Sequence, residues 1–137
     1  MLTTIEKVLA LKQFSLFKNV SNVALSDLMA LSEEQTLSKG EKLIEQDKVN
    51  KHVYFILSGS VESVSAKTQT LFPDQQIIGL DSVFCQEPAS ETICIKQQVS
   101  MLKVERDKLY RMMALHPSLA MAILNELSLL IIRQKKD

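Results

Sequence analysis

The chain has 137 residues, with 16 Lys and Arg against 16 Asp and Glu, and 46% of its residues are hydrophobic. This length predicts one domain spanning residues 1–137, with enough apolar side chains for a sizeable core. The zero net charge argues against a dedicated nucleic-acid binder, because contacts to phosphates need a basic face.

Helical signals occupy the N-terminal part of the chain, and we expect helices within residues 4–33. Thr3 and Glu6 have the spacing of a capping box, in which each side chain bonds the backbone amide of the other residue. Ser21 is predicted to cap a second helix. The buried side of that helix is predicted to carry five apolar residues: Val23, Leu25, Leu28, Met29 and Leu31.

Residues 34–106 change to the short pattern that is typical of β-strands, and we expect six to eight strands of about five residues. The segment with the strongest β composition contains an expected break near Gly59. Residues 91–106 are interpreted as two strands that meet near Gln97–Gln98, and a Pro-Asp turn is predicted at 73–74. This many short strands in one domain indicates a sandwich or a barrel.

Helical signals return over residues 107–135, where Asp107 is predicted to cap one helix and Pro117 to open the next. The last helix, residues 118–134, is apolar almost all round, whereas a surface helix usually has one apolar stripe. We therefore expect its outer face to be buried, either in a homodimer or against a parent chain. The apolar run at 129–132 is far too short to span a bilayer, so we expect no direct membrane insertion.

This order of elements resembles the cyclic-nucleotide-binding domain family over essentially the whole chain. The segment SKGEKLIEQDKVNKHVYFILSGSVE looks like the family's paired strands, with Gly40 and Gly59 at family glycine positions, and Gly79 would start its phosphate cassette. The segment MLKVERDKLYRMMALHP looks like the strand and capped helix that lead into the last helix. The resemblance implies a mainly β fold with flanking helices. Its centre would be a double-stranded β-helix (jelly-roll) barrel, preceded by N-terminal helices and followed by two C-terminal helices.

The resemblance assigns the candidate ligand-binding positions, and several of them depart from the family pattern. In the family, the glycine precedes a glutamate that holds the ribose 2′-hydroxyl, and a Pro-Arg pair supplies the arginine for the cyclic phosphate. Here the glutamate position is Leu80 and the arginine position is Ala89, while Glu91 replaces a small residue. Asp47 likewise replaces a fourth family glycine. The candidate positions are Gly79, Leu80, Asp81, Ala89, Ser90, Glu91 and Thr92.

The charge of this segment disfavours an anionic ligand. From Gly79 to Ile95 the sequence has no Lys, Arg or His but three acids: Asp81, Glu87 and Glu91. An arginine makes a charge-assisted, two-pronged contact to phosphate that lysine does not copy. We therefore expect no cofactor, and we expect binding of cAMP or cGMP to be disfavoured. One hypothesis is that the carboxylate of Glu91 fills the empty phosphate site and bonds to backbone amides.

These features favour a non-enzymatic regulatory or interaction module. The alternative is a ligand-sensing domain that binds a cyclic nucleotide or another small molecule in the barrel pocket. The sequence shows no nucleophile–base pair that would indicate an enzyme. Its two histidines, with Cys85 and Cys94 at these spacings, do not indicate a metal site. The absence of an N-terminal apolar leader favours a reduced, cytoplasmic setting with both cysteines as thiols. Cys85 as a redox sensor is a weaker interpretation, because its surroundings are acidic.

Overall fold

The computed structural model describes the backbone of residues 1–64, 69–72 and 76–135, and the side chains of 1–64 and 76–132. The predicted turn at 73–74 lies outside the described residues. The chain forms two compact units: unit 1 comprises Met1–Leu31 and Asp107–Asp137, and unit 2 comprises Ser32–Arg106. The assignment of residues 1–137 to a single domain stays a prediction.

The first part of unit 1 holds two helices and a short 3-10 helix, and the predicted caps are confirmed. The Thr3 hydroxyl accepts from the Glu6 amide at 3.1 Å, and the Glu6 carboxylate accepts from the Thr3 amide at 3.0 Å. The Ser21 hydroxyl accepts from the Ala24 amide at 3.2 Å. These elements are α1 (Thr4–Leu11), the 3-10 helix (Ser15–Phe17) and α2 (Asn22–Ala30).

The core of unit 1 forms where the buried faces of its helices and the 3-10 turn supply large apolar side chains. The rings of Phe14 and Phe17 pack edge to face with centroids 6.4 Å apart. The prediction that Val23 is buried is wrong, because α2 turns the face carrying Leu25 and Leu28 inward and leaves Val23 67% exposed. The largest fully buried side chains among the described residues of unit 1 are Leu11, Phe17, Leu25, Leu28, Met29, Leu109 and Leu119.

The C-terminal part of unit 1 contains α4 (Arg106–Leu115, beginning at the last residue of unit 2) and α5 (Pro117–Lys135). Pro117 opens α5 as predicted. The prediction that Asp107 caps α4 is wrong, because the helix already begins at Arg106 and Asp107 lies in its first turn, where the helix dipole still favours a carboxylate. His116, between the two helices, places Nε2 2.8 Å from Oδ2 of Asp27 on α2.

Unit 2 is an antiparallel sheet organised around two long strands that pair along their whole length, β3 and β6. The end of β6 pairs with β1 and its beginning with β2, whereas the beginning of β3 pairs with β5 and its end with β4. The strands are β1 (Glu33–Leu37), β2 (Lys42–Ile44), β3 (His52–Val64), β4 (Gln69–Phe72), β5 (Ile77–Ile78) and β6 (Thr92–Glu105), and α3 (Leu80–Cys85) lies between β5 and β6.

The lengths of these two strands correct the predicted pattern. β6 continues through Gln97–Gln98, where two separate strands were predicted, and β3 continues through Gly59. The pairing between the two strands shifts register between Ile56 and Val61, so the expected break is an irregularity within a paired strand. Gly59 has φ +88°, a backbone conformation that glycine adopts without steric cost.

The inner face of the sheet carries the core of unit 2. The antiparallel sheet confirms the predicted fold class, a jelly-roll type β structure with flanking helices. The strand pairings do not close into a complete barrel among the described strands, because β1 and β4 lie at opposite ends of the pairing order. The inner-face residues are Ile44, Tyr54, Ile56, Val61, Ile78, Ala89, Ile93, Ile95, Val99 and Met101. No helix in the part of the chain that the structure describes is long and apolar enough to cross a membrane.

Candidate functional site

The predicted cassette begins at a left-handed turn that leads into a short helix. Gly79 has φ +88° and precedes α3, and its carbonyl accepts from the Val83 amide at 3.0 Å. Leu80 is 3% exposed, so its side chain is buried in the protein. Asp81 is exposed, and its carboxylate accepts from the Ser82 amide at 2.8 Å. The first acid of the cassette therefore bonds the adjacent amide within the first turn of α3.

Asn50, which the sequence analysis missed, holds this turn from the neighbouring loop. Its side chain is buried, and Nδ2 donates to the His52 carbonyl at 2.8 Å, the Ser82 hydroxyl at 3.0 Å and the Gly79 carbonyl at 3.4 Å. Its Oδ1 accepts from the His52 amide at 3.2 Å. The two bonds to His52 are local, and an Asn two residues before a strand is the sequence feature that could have indicated them. The contacts to Gly79 and Ser82 are long-range and leave no trace in the local pattern.

The second half of the cassette is fixed by backbone bonds to the loop after β2. The Ala89 amide donates to the Lys48 carbonyl at 2.9 Å, and the Ala89 carbonyl accepts from the Asp47 amide at 2.8 Å. Pro88 forms an isolated β-bridge with Val49. Asp47 has φ +70°, so this family glycine position keeps its left-handed backbone although the residue is an aspartate. Aspartate is one of the few residues besides glycine that adopt this conformation readily.

The Ala89 side chain, at the family's arginine position, is part of the apolar core. It is 8% exposed and belongs to the inner-face cluster with Ile44 and Ile93. Ser90, next in the chain, is exposed. An alanine methyl in this environment offers an anionic ligand neither a charge nor a hydrogen bond.

Glu91 places a carboxylate on the inner face of the sheet. Its Oε2 accepts a hydrogen bond from the hydroxyl of Ser63, which is 2% exposed. Ser63 lies two residues after the buried Val61 on β3, so the two side chains are on the same face of the sheet and both point inward. Glu91 itself is half-buried. The hypothesis that Glu91 fills the phosphate site and bonds backbone amides stays a prediction, since the bond seen here is to a hydroxyl.

Thr92 closes the cassette and connects it to the loop after β2. Its hydroxyl accepts from the Gln46 amide at 3.0 Å, so the residue predicted to present a hydroxyl to a ligand is used by the protein backbone. The sequence analysis missed both Gln46 and Ser63 as partners. Each is a contact between segments distant in sequence, and neither residue type stands out in its own strand or loop.

The predicted cassette residues are thus brought into one region of unit 2, with distinct partners. Asp81 bonds the first turn of α3 and Glu91 bonds Ser63, so the two acids have separate partners. Cys85 is an exposed thiol and Cys94 a half-buried thiol. Within residues 1–64 and 76–132, no three His, Cys, Asp or Glu side chains are grouped as metal ligands.

Comparison with known proteins identifies the family. The model of the cyclic nucleotide-binding domain family matches residues 34–116, which is more than half of the chain. The chain belongs to this family, whose members are regulatory domains that are typically non-enzymatic. A search among curated protein sequences found no match.

Solved structures of low sequence identity share the fold. A provisionally assigned cyclic nucleotide-binding protein from Geobacter metallireducens is 16% identical with a TM-score of 0.80, covering 97% of this chain and 98% of that one. A cyclic nucleotide-binding domain from Methylobacillus flagellatus is 21% identical with a TM-score of 0.78, covering 97% and 79%. The N-terminal domain of a transcriptional regulator from Streptomyces coelicolor is 20% identical with a TM-score of 0.73, covering 93% of both chains.

Proposed function

We propose that this member of the cyclic-nucleotide-binding domain family is a non-enzymatic regulatory or interaction module that does not bind cAMP or cGMP in the usual way. The observation that carries the proposal is the inward carboxylate of Glu91, held by Ser63 on the inner face of the sheet. It lies two residues beyond Ala89, whose buried methyl occupies the position of the family's arginine. The cassette keeps its backbone shape and lacks its positive charge.

The energetics of an anionic ligand support this proposal. A hydrogen bond to a charged group contributes roughly 1.5–3 kcal/mol. The positions matching the family's ribose and phosphate contacts are Leu80 and Ala89, so two such contacts are missing and affinity falls by about 100-fold or more. The carboxylate of Glu91 adds repulsion between like charges in a partly buried site, where screening by water is weak.

Titration calorimetry of the purified chain with cAMP and with cGMP tests the proposal. We expect no heat of binding at micromolar concentrations of either nucleotide, because the cassette has no cation to neutralise the cyclic phosphate. Micromolar binding of either nucleotide with one-to-one stoichiometry would contradict the proposal.

The alternative function, a ligand-sensing domain with altered chemistry, has less support from the cassette. A neutral or cationic ligand would need polar groups that are free to bind it. Leu80 and Ala89 are buried apolar residues, and the hydroxyl of Thr92 is hydrogen-bonded to the backbone. The acid at Glu91 is already paired with Ser63. These contacts favour a cassette that stabilises the fold over one that receives a ligand.

The interaction role is proposed to lie on the outer face of α5. Leu119 and Ile123 are buried within unit 1, whereas Met121 is 65% exposed and Leu124 is 54% exposed. Exposed apolar residues that continue along one helix mark a surface that is favourable to cover. The remaining exposed apolar residues of α5 are Leu129, Ile131 and Ile132.

Light scattering of the purified chain tests whether a second copy covers this face. We expect a dimer mass, and we expect Leu124→Glu to shift the protein to the monomer because the substitution buries a charge in the interface. Gln98→Glu is the matched control, since Gln98 is an exposed polar residue of unit 2 and lies outside α5. A wild-type monomer would leave a longer parent chain as the remaining candidate partner.

A further inference from the structure

A groove of about 300 Å³ lies in unit 2, beside the cassette and separate from its candidate positions. It is formed by the end of β2, the loop that follows and the beginning of β3. None of the seven cassette positions lines it. Its charged lining residues are Lys42, Glu45, Lys48 and Lys51.

The charge of this groove is opposite to that of the cassette. Three lysines and one acid line it, so its net charge is +2 in a chain whose net charge is zero. Glu45 is paired with Lys48, with Nζ and Oε2 2.8 Å apart. Lys42 and Lys51 are the other two lysines of the groove, and both are exposed. Neither forms a salt bridge with another of the described residues.

The floor of the groove is apolar and aromatic. Ile44 and Tyr54 are buried members of the inner-face cluster. The rings of His52 and Tyr54 have centroids 6.0 Å apart. Burial raises the pKa of the Tyr54 hydroxyl. The groove therefore combines a positively charged rim with a floor on which an apolar or planar group can lie, the composition expected of a small-molecule site.

We propose that this groove binds a small organic anion that carries at least two negative charges, as phosphates or carboxylates. Lys42 and Lys51 would supply the attraction from the rim. Lysine binds anions as a point charge and not with the fixed fork of arginine, so the site tolerates either phosphate or carboxylate geometry. A volume of about 300 Å³ limits the ligand to the size of a small metabolite.

Asn50 connects the groove to the cassette. It lines the groove and also donates to the Gly79 carbonyl and the Ser82 hydroxyl at the start of α3. An anion in the groove would therefore contact a loop that is bonded to the cassette turn, without entering the cassette. This proposal does not depend on whether the cassette binds cyclic nucleotides.

Pyrophosphate and citrate are suitable probes, since they present the two anion chemistries without a nucleoside. We expect both to bind at low ionic strength, with affinity that falls as salt is added, and to shift amide NMR signals of residues 42–54. We expect Lys42→Ala/Lys51→Ala to weaken binding by about 10-fold, because two positive charges outside the Glu45–Lys48 salt bridge are removed from the rim. A preference for one probe would identify the anion chemistry.

Lys39→Ala/Lys96→Ala is the matched control, because it removes two exposed lysines of unit 2 that do not line the groove. We expect this control to change the affinity by less than about 2-fold, because salt screens the attraction between the anion and lysines outside the groove. Equal weakening in both double variants, or no binding of either probe at millimolar concentration, would overturn the proposal.

Discussion

Replacing Gly59 with alanine is expected to destabilise the protein by at least about 3 kcal/mol, the range of severe single substitutions. A Cβ at this position would lie 2.0 Å from the carbonyl oxygen of Gln98 and 2.8 Å from Cα of Val99. Both are backbone atoms of β6, so no side-chain rotation relieves the clash. The two longest strands of unit 2 would have to separate where they are in closest contact.

Gly40→Ala is the control that isolates this close approach. Gly40 has φ +91°, nearly the same as the +88° of Gly59, but nothing lies within 4 Å of a Cβ built on it. Its substitution should therefore cost only the strain of the left-handed backbone, about 1–2 kcal/mol. Urea denaturation measures both variants, provided that the slope with denaturant is unchanged. Equal losses in the two variants would show that backbone conformation alone explains the effect.

Restoring positive charge to the cassette is expected to create cyclic-nucleotide binding. We expect the double variant Ala89→Arg/Glu91→Ala to bind cAMP at least about 100-fold more tightly than the wild-type chain. The arginine adds one charged hydrogen bond of roughly 1.5–3 kcal/mol, and removal of Glu91 ends the repulsion of the phosphate. Titration calorimetry gives the affinities. A thermal unfolding scan verifies that the variant, which enlarges a buried side chain, is folded.

Ala89→Gln/Glu91→Ala is the matched control for the charge, because glutamine enlarges the same position without a cation. We expect this control to bind at least about 10-fold more weakly than the arginine variant. If both variants are folded and bind cAMP equally, the missing charge is not what prevents binding. Glu91→Ala alone leaves the buried hydroxyl of Ser63 without its recorded acceptor, so the comparison is made between the two double variants.

Glycines were the residues whose positions were most informative in the sequence. Gly40, Gly59 and Gly79 all have positive φ, and Asp47 keeps that conformation at a fourth position. Glycine adopts positive φ without steric cost, so a glycine in the sequence can indicate that conformation without information on distant contacts. The fold class and the helix caps at Thr3 and Ser21 could be predicted, because they depend on such local residue preferences.

Contacts between segments distant in sequence could not be predicted. Gly59 and Gln97–Gln98 were interpreted as breaks, yet the strands continue because each supports the other across a register shift. Asn50 and Ser63 looked like ordinary polar residues, although each bonds the cassette from another part of unit 2. The charge of Glu91 was visible in the sequence, whereas its partner depended on which face of β3 turns inward.

The division of the chain has a consequence for its synthesis. Unit 1 is built from Met1–Leu31 and Asp107–Asp137, so about 75 residues are translated between its two parts. At roughly 5–20 residues per second, several seconds pass before α4 and α5 follow α1 and α2 from the ribosome. Unit 2 is continuous and can begin to fold in that interval. The apolar faces of α1 and α2 stay exposed until α4 and α5 are synthesised, and we expect chaperones to bind them in that interval.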